Sequence, residues 1–156
     1  MSSTSLTVLE QRLGTIDVTK LVEYTKKIRE IGGLNNMLAP TYLRDFIMAY
    51  DVANSMLSLA VRCDIEAKAT LDKVKAIAYL DRAGDYLKQK GINDTAEARK
   101  RYVDIDDEVG HANELYAKTQ ALMVFLKNKL VEFKCAHDDV KKMVYGDPQN
   151  SPYEGM

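Results

Sequence analysis

The 156 residues carry 22 basic and 23 acidic side chains, a formal net charge of −1, and 46% of them are hydrophobic. A chain of this size is expected to form one domain, and its near-zero charge excludes a global field that would draw it to nucleic acid or membrane. Three prolines and eight glycines supply too few turns for an all-β sandwich or barrel.

With no tryptophan and three phenylalanines, the core must rely on Leu, Ala, Met and Val. The two cysteines, Cys63 and Cys135, lie far apart in helical patterns. There they are expected to be small buried hydrophobes rather than a disulfide or a metal site. The opening "MSSTSLTVLE" lacks the basic stretch and long apolar run of a signal peptide. No apolar run approaches a membrane span, so a cytoplasmic chain with no membrane partner is expected.

Residues 1–40 read as an N-terminal arm and a short helix. Residues 1–14 are rich in Ser and Thr and carry Leu6, Leu9 and Leu13, which suggests a mobile arm that docks by its leucines. "IDVTKLVEYTKKIREIGG" has Asp17 as N-cap and Gly32-Gly33 as stop, giving a helix of about four turns. A linker, "LNNMLAP", follows.

Residues 41–145 read as a long-helix domain for oligomerisation and binding. Thr41 is the expected N-cap. One stripe runs Leu43, Ile47, Tyr50, Leu57, Val61 and Ile65, and a second runs Phe46, Ala49, Ala53, Met56, Ala60 and Cys63. Together they form an apolar face wide enough for two neighbours. No proline or glycine interrupts residues 41–83, as in a coiled coil or an extended bundle helix. Beyond Gly84 and "QKGIND", Asp94 and Glu97 have the spacing of a capping box that opens "TAEARKRYV". The acids of "DIDDEV" suit the positive end of a final helix over residues 106–145, whose stripe is Val109, Leu115, Leu122, Leu126, Leu130, Phe133, Val140 and Val144. Residues 146–156 read as a disordered tail. The fold class is therefore all-α, with long helices in an extended hairpin or bundle.

The chemical motifs are few. "DIDDE" lacks the glycine that a calcium loop needs. His137, Asp138 and Asp139 are adjacent on a helix, about 100° apart, and cannot converge on one ion. No nucleophile elbow, P-loop or dinucleotide fingerprint is present. A non-enzymatic protein without metal or cofactor is expected.

The charge pattern is more informative. Between Arg62 and Arg101 stand ten basic and seven acidic residues. Lys68, Lys75 and Arg82 recur at a step of seven, on one side of a helix, with Tyr79 and Tyr86 four residues beyond Lys75 and Arg82. Basic residues interleaved with aromatics can track a phosphate backbone and stack bases. The opposing reading is the salt-laced, solvated face of a helical scaffold. Lys118, Lys127, Lys129, Lys134, Lys141 and Lys142 form a second cation series, while acids gather at 104–114. Such segregation suits pairing with copies of the same chain or holding a strand.

With "EAKATLDKV" on its long helix and "DIDDEVGHANELYAKTQALMVFL" opening its last one, the layout from about residue 45 to residue 145 resembles the UvsY-like recombination mediators of T4-type phages. "EAKATLDKV" looks like that family's basic Lys-Ala-Arg-Leu box: Lys68, Ala69 and Leu71 match, and Thr70 stands where the family has Arg. "DIDDEVGHANELYAKTQALMVFL" is similar to the start of the family's last helix. The resemblance implies a small all-α protein without enzymatic activity that assembles into a ring-like homo-oligomer. It also implies that the assembly binds single-stranded DNA, loosens a single-stranded DNA-binding protein, and helps load a RecA-like recombinase in the cytoplasm of a host cell. Lys68 would neutralise phosphate, helped by Arg62, Lys73 and Lys75, with Arg82 and Tyr79 extending the row. The final helix is expected to carry the self-association surface, on Leu115, Leu122, Leu126, Phe133 and Val140. The alternatives are a structural or adaptor homo-oligomer with no nucleic-acid role, and a small regulatory inhibitor of a host protein.

Overall fold

The structure is a computed structural model that describes residues 2–146, with side chains from residue 5 onward. It is all-α, and among the described residues no strand occurs. Helix α1 spans Ser2–Gly14. A 3₁₀ turn, Val18–Leu21, leads into α2, Val22–Glu30, and a second one, Ile31–Gly33, closes it. Helix α3 spans Ala39–Ile77 and passes through a π-helical turn, Ala78–Arg82, into α4, Ala83–Gln89. Helices α5, Ala96–Ile105, and α6, Asp107–Tyr145, follow.

Side-chain caps mark the start of four of these elements. Asp17 accepts the Thr19 N–H at the first 3₁₀ turn. Asn35 accepts the N–H groups of Met37 and Leu38 at 3.1 and 3.0 Å, so α3 begins before Thr41, the expected cap. Gly91, at φ 66°, takes the left-handed position after α4. The Ile92 N–H then reaches back to the Leu87 carbonyl at 2.9 Å, which closes the helix as a Schellman motif. Thr95, not Asp94, caps α5 by accepting the Ala98 N–H. Asp106 accepts the Val109 N–H at 3.1 Å and opens α6, as its acid-rich start implies.

The chain forms two compact units. Unit 1 takes residues 1–16 and 59–123, and unit 2 takes 17–58 and 124–156. The division therefore does not fall at residue 40; each unit receives one N-terminal helix and part of each long helix.

In unit 1, Leu6 and Leu9 of α1 pack with Cys63, Ala67, Leu71, Val74 and Ala78, and with Val109, Ala112 and Leu115. Each fully buried Leu or Val of this kind contributes about 1.5–3 kcal/mol. Residues 2–14 are thus not a mobile arm: leucines at helical spacing make them a packed helix. In unit 2, Leu21, Phe46, Ala49, Ala53, Met56, Leu126, Phe133, Ala136 and Val140 are buried. Tyr24 meets Phe133 edge-on at 6.3 Å, and Tyr42 meets Phe46 at 6.1 Å.

The two apolar stripes of α3 have different fates. The one from Phe46 to Cys63 is buried throughout, while Ile47, Tyr50, Val61 and Ile65 of the other are exposed. Cys63 is buried, and burial pushes its thiol up. Cys135 is exposed, against expectation, and both thiols are free. No described helix is long and apolar enough to cross a membrane.

Candidate nucleic-acid interface

Lys68 and Lys75 lie seven residues apart on α3, about 20° apart around its axis. Both are exposed, and among the described residues neither makes an ion pair. Arg62 and Lys73 are also exposed and unpaired, but they lie about 120° and 140° around the helix from Lys68. The structure therefore leaves four of the anticipated cations free without gathering them on one side.

The neighbouring acids are largely occupied. Glu66 receives the Arg12 guanidinium at 2.6 and 2.5 Å. Asp64 accepts from the Thr119 hydroxyl at 3.3 Å and from the Gln120 amide. Asp72 is the remaining acid between residues 62 and 77, and it is exposed.

Arg82 does not continue the lysine row. The π-helical turn fits an extra residue into its circuit, so Arg82 falls back by about a quarter turn from α-helical register. Its guanidinium grips Asp106 through two hydrogen bonds, at 2.9 and 2.7 Å, and Glu108 at 2.5 Å. Tyr102 donates to the same Asp106 carboxylate at 2.9 Å. Burial alone would raise the Asp106 carboxyl, but hydrogen bonds from Arg82, Tyr102 and the Val109 N–H outweigh it and hold the group below its ordinary value. Arg82 is thus held by carboxylates of unit 1 and is not left free as Lys68 and Lys75 are.

Tyr79 is likewise committed. The Arg99 guanidinium lies 5.8 Å from the centre of its ring and donates to the carbonyls of Tyr79 at 2.9 Å and Leu80 at 3.3 Å. Arg99 is held in turn by Asp94 at 2.6 and 2.7 Å. It therefore serves carbonyls inside the π-helical turn, a role that the sequence did not signal. Tyr86 packs on Tyr102 with ring centres 4.9 Å apart.

The anticipated self-association stripe is also corrected. Leu115, Leu126, Phe133 and Val140 are fully buried within the chain, and Leu122 is half-buried. Heptad spacing identified a packed face, but the chain itself supplies the packing. Of the second cation series, Lys129 pairs with Glu132 at 2.5 Å, whereas Lys118, Lys127, Lys134, Lys141 and Lys142 are exposed. Among the described residues no group of three or more His, Cys, Asp or Glu gathers as a metal site. Set against protein-family models, curated proteins and solved structures, the chain matches none.

Proposed function

We propose that the protein is a non-enzymatic, self-assembling helical subunit that binds single-stranded DNA and acts as a recombination mediator, helping a RecA-like recombinase displace a single-stranded DNA-binding protein. The observation that carries this reading is the pair Lys68 and Lys75, exposed on one side of α3 without an ion pair among the described residues, where Asp64 and Glu66 are engaged elsewhere and Asp72 is the one exposed acid between them. Long helices arranged as an extended hairpin, repeated in a ring, would multiply this small patch. A subunit of net charge −1 could then hold a polyanion by many weak contacts.

The test is charge reversal. The K68E/K75E variant should bind a labelled single-stranded oligonucleotide more than about tenfold more weakly at low salt, with unchanged helical circular dichroism. Equal affinity would remove α3 from the site.

A second reading, a structural homo-oligomer with no nucleic-acid role, is favoured by the apolar side chains of α3 that remain uncovered. Ile47 is 51% exposed and Ile65 is 65% exposed. Assembly in light scattering without any oligonucleotide affinity would select it.

A further inference from the structure

The geometry points to a second binding surface for a single-stranded polynucleotide, on unit 2, where α3 meets the C-terminal part of α6. This inference rests on the DNA-binding reading and assigns it a further site, built from other residues than the α3 lysines. Lys127, Lys134 and Lys141 recur at a step of seven on α6, about 20° apart in successive steps and about 10.5 Å apart along the axis. All three are exposed, as is Lys142, and among the described residues none of the four makes an ion pair.

The lysines do not stand on a plain polar face. Lys134 borders a hollow of about 290 Å³ with Phe46, Ile47, Tyr50, Phe133 and His137. Lys141 and Lys142 border a second hollow of about 380 Å³ with Tyr145. Asp138 lines both, so the two adjoin, and among the described residues it is their one carboxylate, set 3.4 Å from the His137 ring nitrogen. Tyr145 is 73% exposed and Tyr50 39% exposed, so two aromatic rings are open to a ligand.

Cations that follow a backbone, beside rings that can take a base face, are what sequence-tolerant single-strand binding requires. A duplex keeps its bases stacked and would meet only the lysines.

The test measures the binding of full-length protein to fluorescein-labelled oligothymidine over a range of salt. Replacing Lys134, Lys141 and Lys142 by alanine should lower the slope of log affinity against log salt by about two. Tyr145→Ala should weaken binding by about tenfold at every salt concentration while leaving the slope unchanged. Both substitutions fall on exposed positions, and circular dichroism checks that the fold is kept. Wild-type binding with an unaltered slope in the triple variant would overturn this site while leaving the α3 reading in place. A duplex bound as tightly as the single strand would also overturn it. Failure of the wild-type protein to bind oligothymidine at low salt would overturn the site and the function together.

Discussion

The arginines of unit 1 and the α6 lysines of unit 2 use their charges in opposite ways. Unit 1 contains five arginines, and Arg12, Arg82, Arg99 and Arg101 are each fixed to a carboxylate of the same unit. The part of α6 in unit 2 contains five lysines, and among the described residues Lys129 alone of these is paired. The difference follows from side-chain chemistry. A guanidinium presents a rigid fork that matches a carboxylate with two hydrogen bonds, while an ammonium is a strongly hydrated point charge on a flexible stem. A count of basic residues places the cationic excess in both stretches. Only geometry shows that in unit 1 much of it holds the fold together.

That contrast can be broken from the core outward. Phe133→Ala should be the most damaging change, costing about 3–5 kcal/mol by emptying a fully buried site and showing as a loss of thermal stability. Arg82→Met should come next, at about 2 kcal/mol, since it strands the Asp106 carboxylate. The side chain of Asp106 is only 6% exposed, but that of Arg82 is 30% exposed, which moderates the cost. Thr95→Ala removes the α5 cap and should cost about 1 kcal/mol. Lys134→Ala should change stability by less than about 0.5 kcal/mol. A large loss of melting temperature in that last variant would mean that the α6 lysines are structural after all.

Acid sharpens the comparison further. The folded-state value of Asp106 is depressed, so the stabilisation from this group is present above the ordinary carboxylate value of about 3.9. It is lost as pH falls through the lower folded value. Chemical denaturation of wild-type protein between neutral and acid pH should show this decline, and the Arg82→Met variant should show a shallower one.

Much of the fold was legible in the residues. The row Phe46, Ala49, Ala53, Met56, Ala60 and Cys63 has the 3.6-residue period of a buried face, and that face is buried. Asp106 and the acids after it marked the start of α6, and local hydrogen bonding put it there. Leu6 and Leu9 were recognised as docking residues, but the order of the whole first helix was not, because Ser and Thr are poor helix formers and packing overrides propensity.

The candidate site was less legible. The step of seven through Lys75 and Arg82 assumes an unbroken α-helix, and the π-helical turn at Ala78–Arg82, whose Tyr79 and Leu80 carbonyls accept from Arg99 about twenty residues further on, violates that assumption. Periodicity likewise marked Leu126 and Phe133 as packed without revealing that the partner is the same chain. Nothing local could reveal that Arg12 neutralises Glu66, 54 residues away.

The most direct test of the central claim is the affinity of wild-type protein for a labelled single-stranded oligonucleotide across a series of salt concentrations. Free lysines acting on phosphates predict tight binding at low salt and a linear fall of log affinity with log salt, at about −0.7 per phosphate contact. No binding at low salt, or binding indifferent to salt, would contradict it.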